Sequence, residues 1–134
     1  MHTALAKTIL IVDDDSSLTQ ALSVRLGHEG YRCVTAGNAA EGVAEFDRGG
    51  IDLVITDLNM PGGDGVDLLE SMRKVGTVPL IVITGFKDDF KRRLRSVENV
   101  IVLRKPFEPG ELVGVVGATL ERDRDVRAAG KARP

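Results

Sequence analysis

The chain has 134 residues, enough for one domain with a real core, since a domain near this size buries roughly two-thirds of the surface its unfolded chain exposes. Its formal net charge of -2 argues against a general nucleic-acid binder, which needs a strong basic excess against phosphate. The single cysteine, Cys33, excludes an internal disulfide framework and reads as a buried reduced thiol; with no signal-peptide core and no run near the roughly 20 apolar residues of a membrane span, a cytoplasmic protein that touches no membrane is expected.

Residues 8–12 (TILIV) form a continuous β-branched apolar run that suits a strand buried on both faces. Ser16 or Ser17 then caps a helix whose inward face is Leu18, Ala21, Leu22 and Leu26, with Gly27 just past its end. Residues 31–36 read as a second strand. Asn38, followed three residues later by Glu41, opens a helix carrying Ala40, Val43 and Ala44, which Gly49 and Gly50 stop.

Residues 52–65 (DLVITDLNMPGGDG) hold the third strand, Leu53, Val54 and Ile55, which runs into a single carboxylate, Asp57, before Pro61, Gly62 and Gly63 break it. Asp64 can cap the next helix, which buries Val66, Leu69 and Met72 as far as Gly76. Residues 78–84 (VPLIVIT) are a fourth strand, with Pro79 tolerable near its start. Phe86, Phe90, Leu94 and Val97 recur at helical spacing among Lys87, Lys91, Arg92, Arg93 and Arg95, which predicts a helix with a thin apolar stripe and a basic outer face.

Residues 99–103 are a fifth strand, and Pro109 suits the first turn of a last helix carrying Leu112, Val113, Val116 and Leu120. Gly114 and Gly117 weaken that helix by about 1 kcal/mol each relative to Ala, so packing must hold it. The folded domain is therefore expected over residues 1–121. Beyond it, residues 122–134 lose apolar periodicity and form a charged tail expected to be disordered.

Five buried strands alternating with helices imply an α/β fold, a doubly wound parallel sheet covered by helices on both faces and joined by right-handed crossovers. Ligands in such folds sit beyond the carboxyl ends of the strands, where the strand order switches. An acid at one strand end is commonly only a turn residue. Here Asp13 and Asp14, Asp57, Thr84 and Lys105 fall at the carboxyl ends of four different strands, a coincidence that turn chemistry does not explain.

Three converging carboxylates repel, because two unit charges 4 Å apart cost about 4 kcal/mol at an effective dielectric of 20. They need a cation, and hard oxygen ligands from two strand ends suit Mg²⁺, which accepts one or two carboxylates plus phosphate oxygens. With a lysine and a hydroxyl nearby, Asp57 is equipped to attack as a nucleophile and accept a phosphoryl group. Mg²⁺, Lys105 and the Thr84 hydroxyl would share the charge on the transferring oxygens.

The motifs ILIVDDD at 9–15, DLVITDLNMPGGDG at 52–65, ITG at 83–85 and KPF at 105–107 together resemble a receiver domain of the two-component response regulators, of the single-domain, chemotaxis-regulator-like kind. The resemblance spans nearly the whole folded part and implies the flavodoxin-like strand order 2-1-3-4-5. It implies that Asp57 is the phosphoacceptor, and that Asp13 and Asp14 are the acidic pair, Asp14 being the preferred direct Mg²⁺ ligand. Asn59 would offer its backbone carbonyl to the metal. By the same resemblance Thr84 is the switch hydroxyl, Lys105 the phosphate-pairing cation, and the Lys105–Pro106 bond cis. Asp15 is left to the surface or to capping.

Two positions depart from the family pattern. Val102 stands where an aromatic is frequent, and Phe86 where many relatives carry a polar residue, so the parts that perform phosphorylation match better than those that transmit it. His2 and His28 read as solvated, which assigns the donor histidine to a partner, a histidine kinase or histidine phosphotransfer protein. Without an output domain, the chain would act on an unidentified downstream protein target or as a phosphorelay intermediate, as a free-standing chain or as a receiver detached from a hybrid kinase.

A switch that catalyses its own phosphorylation and dephosphorylation is expected, not an enzyme. An aspartyl-phosphate phosphohydrolase would place a second Asp two residues after the nucleophile, where this chain has Asn59, and hydrolysis of p-nitrophenyl phosphate separates the two readings. A phosphorylation-independent binding module has no use for an intact acidic pair, Asp57 and Lys105.

Overall fold

Side-chain alternation along the strands sorts the core into two layers. The computed structural model describes residues 6–60, 63–75, 78–85, 94, 97 and 99–132. Its main sheet has five parallel strands, β1 (Thr8–Val12), β2 (Arg32–Ala36), β3 (Leu53–Asp57), β4 (Leu80–Thr84) and β5 (Val100–Arg104), in the order β2-β1-β3-β4-β5. Leu10 and Val12, Val54, and Leu80 and Val82 point to one face; Ile9 and Ile11, Leu53 and Ile55, Ile81 and Ile83, and Leu103 point to the other. The three inner strands are buried on both sides, which is why they read as unbroken apolar runs.

Two pairs of elements cover these faces. Helix α1 (Ser16–His28) and the last helix, α4 (Pro109–Ala132), lay Leu22, Leu26, Leu112, Val116 and Leu120 on the odd-numbered layer. Helices α2 (Ala39–Asp47) and α3 (Gly65–Val75) cover the even-numbered layer with Val43, Phe46, Leu68, Leu69 and Met72, and Leu94 and Val97 are buried beside them. Each such fully buried aliphatic side chain is worth about 1.5–3 kcal/mol relative to exposure.

Several local expectations shift. The cap of α1 is Asp15, whose carboxylate accepts the Leu18 N–H, not Ser16 or Ser17. Gly27 lies within α1, and the left-handed residue past its end is Gly30, with φ +98°. Ala21, Ala40 and Ala44 are exposed. Asn38 does cap α2, and Glu41 reaches back to the Gly37 N–H.

Gly42 is the buried residue of α2, because the helix crosses β1 so closely that a Cβ there would lie 3.0 Å from Val12 Cγ2. Cys33 is a free thiol but only half-buried, on the edge strand β2.

The last helix does not end near Leu120 but continues to Ala132. Past Leu120 none of the described side chains, residues 121–126, is buried, and Val126 is 62% exposed; the arginines and acids there have adequate helix propensity. The expected helix with Phe86, Phe90 and the basic cluster Lys87, Lys91, Arg92, Arg93 and Arg95 lies outside the described residues, as do the side chains of Asp64 and Val66. Among the described residues no helix is long and apolar enough to cross a membrane.

Candidate functional site

The chain leaves β1 toward β2 on one side and later returns to place β3 on the other, so the strand order reverses between the carboxyl ends of β1 and β3. Register brings the acids together there. Val12 pairs with Thr56, so Asp13 and Asp57 are each one residue further along neighbouring strands and share the parity of Ile11 and Ile55. Backbone bonds hold the strand ends in place: Asp13 N–H donates to Ala36 O, Leu58 N–H to Ile83 O, and Lys105 N–H to Thr84 O.

One carboxylate oxygen from each of Asp13, Asp14 and Asp57 lies within 4.8 Å of the other two. Asp13 is 3% and Asp57 8% exposed, whereas Asp14 is open to solvent. On the far side, Lys105 Nζ lies 3.5 Å from Asp57 Oδ2, and the Lys105–Pro106 bond that follows is cis.

Burial pushes the Asp13 carboxyl above its ordinary value. The Asp15 N–H, donating to Asp13 Oδ1 at 2.9 Å, opposes that, the Asp57 charge adds to it, Lys105 opposes it, and the Asp14 charge adds again. Three oxygens this close, two of them from poorly solvated groups, fit a hard divalent cation by the chemistry of the donor set.

Thr84 ends β4 fully buried, but its parity is that of Leu80 and Val82, on the α2 and α3 side, opposite to Asp57. It reaches the same edge of the sheet from the other layer. Asn59 follows two residues after Asp57 in a two-stranded hairpin, Asn59–Met60 against Gly63–Asp64.

Two features escaped sequence reasoning. Capping was among the roles left open for Asp15 and it does cap α1, but the bond from its N–H to Asp13 was not foreseen. An apolar groove of about 610 Å³ lies beside Lys105, with Leu18 and Leu22 of α1 on one wall and Phe107 and Pro109 on the other. Only the fold brings those segments together.

The family model for the response regulator receiver domain matches residues 9–117. The chain belongs to that family. The receiver is 32% identical over 131 residues to the sensory transduction protein RegX3 of Mycolicibacterium smegmatis, a match covering 92% of this chain and 54% of the relative. It is 35% identical over 123 residues to the DNA-binding response regulator MtrA of the same organism, covering 90% and 54%. The receiver thus spans about half the length of the curated relatives it matches. Among solved structures, the chemotaxis protein CheY4 of Vibrio cholerae superposes with a TM-score of 0.80 at 27% identity, covering 86% of this chain and 99% of that one. The doubly wound fold with order 2-1-3-4-5 and the place of this receiver in two-component signalling both follow.

Proposed function

We propose that Asp57 accepts a phosphoryl group from a phosphohistidine on a partner histidine kinase or histidine phosphotransfer protein, and that the acyl phosphate so formed switches contacts with a downstream protein in the cytoplasm. The observation that carries this reading is the convergence of Asp13, Asp14 and Asp57 within 4.8 Å, with Lys105 3.5 Å from Asp57. A structural cluster would gain nothing from three acids that repel.

The carboxylates of Asp13, Asp14 and Asp57 and the backbone carbonyl of Asn59 would hold Mg²⁺, Asp14 being the preferred direct ligand of the acidic pair. Bound there, Mg²⁺ supplies charge neutralisation for the transferring oxygens. The Asp57 carboxylate oxygen attacks phosphorus, the P–N bond breaks, and its electron pair returns to the donor imidazole. Lys105 balances the phosphoryl charge from the side opposite the acidic pair, and the Thr84 hydroxyl donates to a phosphoryl oxygen from β4. The exposed Asp14 and Lys105 mark the open side of the site, and the groove next to Lys105 would offer the segment bearing the histidine the apolar side chains of Leu18, Leu22 and Phe107 to rest on.

Nothing in this chemistry requires turnover of an external substrate, so the domain is a switch that catalyses its own modification and hydrolysis. The test is incubation with Mg²⁺ and a small acyl phosphate, followed by intact-mass measurement. One phosphoryl adduct is expected, absent without Mg²⁺ and absent in Asp57→Ala. An adduct that persists in that variant overturns the assignment. Asp14→Ala should instead raise the Mg²⁺ concentration needed, since it removes a ligand and leaves the nucleophile.

A further inference from the structure

We propose that Asp15, the third acid of the run, is a positioning residue that fixes the Asp13 carboxylate for cation binding by capping α1. The inference rests on the reading of Asp13, Asp14 and Asp57 as a divalent-cation site.

Two hydrogen bonds share one residue. The Asp15 backbone N–H donates to Asp13 Oδ1 at 2.9 Å, and the Asp15 carboxylate accepts the Leu18 N–H at 3.2 Å. Asp15 is held in extended conformation, φ -86° and ψ 99°, as a helix cap requires. The N–H of the same residue points back along the chain to Asp13. The first turn of α1 is thus tied to the buried acid through a single backbone unit, and α1 is itself anchored by Leu22 and Leu26 against the sheet.

The Asp15 side chain is exposed and is not one of the three acids whose oxygens converge. Its charge is therefore not needed for the role, whereas its cap is. A ligand's orientation depends on the partners that hold it, and losing one such partner typically lowers metal affinity about 10–100-fold. Here the loss would be indirect, because removing the cap frees the turn without removing the N–H.

The test uses the full chain and Mn²⁺ as the probe, with binding followed by electron paramagnetic resonance and the residue-15 amide followed by hydrogen exchange. Asp15→Ala, and Asp15→Gln, whose longer side chain does not cap, should each bind Mn²⁺ about tenfold more weakly, with loss of protection at the residue-15 amide. Asp15→Asn and Asp15→Ser, which keep a capping oxygen without the charge, should stay within about threefold of the unmodified chain. A purely structural cap would lower melting temperature and leave affinity alone. Unchanged affinity in both non-capping variants overturns the proposal, and so does an Asn or Ser variant as weak as Ala, which would assign the effect to charge. Absence of saturable Mn²⁺ binding by the unmodified chain overturns the cation-site reading itself, and this inference with it.

Discussion

Lys105 Nζ lies 3.5 Å from Asp57 Oδ2 although Asp57 ends β3 and Lys105 directly follows β5, strands that are not neighbours and have β4 between them. The lysine spans the end of β4, and its own N–H is bonded to the Thr84 carbonyl there. Because its side chain is 39% exposed, the pair is screened and contributes at most about 1 kcal/mol to stability. On the function proposed above, its value lies in the place where charge would develop. Lys105→Met should therefore leave the unfolding free energy within about 1 kcal/mol while slowing acyl-phosphate labelling of Asp57 about 100-fold. Denaturant titration and an intact-mass time course measure the two effects, and a large stability loss with normal labelling would make the pair structural.

The raised Asp13 carboxyl gives a pH signature. A group that binds its proton more tightly in the folded state destabilises the fold as pH rises from its ordinary value through the raised one. Without divalent cations, Asp13→Asn should accordingly be more stable than the unmodified chain near neutral pH, with the advantage shrinking as pH falls toward the ordinary aspartate value of about 4. The amide oxygen of Asn can still accept the Asp15 N–H, so the comparison isolates charge. Mg²⁺ should raise the melting temperature of the unmodified chain and not that of the variant. Melting curves between about pH 4 and about pH 7, with and without Mg²⁺, decide it; a constant offset across that range would show that Asp13 does not titrate in it.

Strand content, layer count and most of the site could be read from the residues because both depend on local pattern. Buried parallel strands announce themselves as apolar runs, and Asp57 and Lys105 follow such runs directly. What could not be read depends on contacts between distant segments. The Asp52 carboxylate accepts the Thr8 N–H at 2.8 Å and its own N–H donates to Thr8 O, which fixes the β1–β3 register that aligns Asp13 with Asp57. Ala40 and Ala44 were grouped with Val43 by spacing, but the close crossing at Gly42 turns α2 so that Ala39 and Phe46 pack beside Val43. Thr84 reads as one of the site group, while its opposite parity emerges only when the two faces are filled.

Gly42 provides a third prediction. A Cβ at this position would sit 3.0 Å and 3.3 Å from the two Val12 methyls and 3.5 Å from Leu68 Cδ1. Ordinary helix propensity favours replacing the glycine, but a branched side chain would have to displace Val12, the residue directly before Asp13. Gly42→Val should destabilise the domain by about 1–3 kcal/mol and weaken Mg²⁺ binding. Urea unfolding and a Mg²⁺ titration test it, and a variant at least as stable as the unmodified chain would show that α2 can move aside freely.

The overhang of α4 leads to a different expectation. Among the described side chains of α4, Leu120 is the last that is buried, and Val126 projects into solvent. The Arg124–Asp125 pair at 3.8 Å is exposed on both sides, so it adds little to stability. Deleting residues 122–134 should change the unfolding free energy by no more than about 0.5 kcal/mol, while reducing the helical signal in circular dichroism. A loss of several kcal/mol would mean that the overhang packs on the domain in solution.

Val102 and Thr84 supply the last prediction. Val82 pairs with Val102 and Thr84 with Arg104, so Thr84 and Val102 share one face of the sheet on adjacent strands. Val102 is half-buried against the cluster that contains Leu94 and Val97. A β-branched side chain in a packed strand has one preferred first torsion and no long lever, so Val102 cannot swing inward as a larger side chain could. Any movement at Thr84 must then pass to Leu94 and Val97 through the packing of β4 itself. Val102→Ala should cost about 1–2 kcal/mol of stability and still show the beryllofluoride-induced change in hydrogen exchange for peptides containing Leu94 and Val97. Thr84→Ala should keep the Asp57 adduct and lose that exchange change. A Thr84→Ala protein that responds like the unmodified chain, or a Val102→Ala protein that fails to respond, would sink this route.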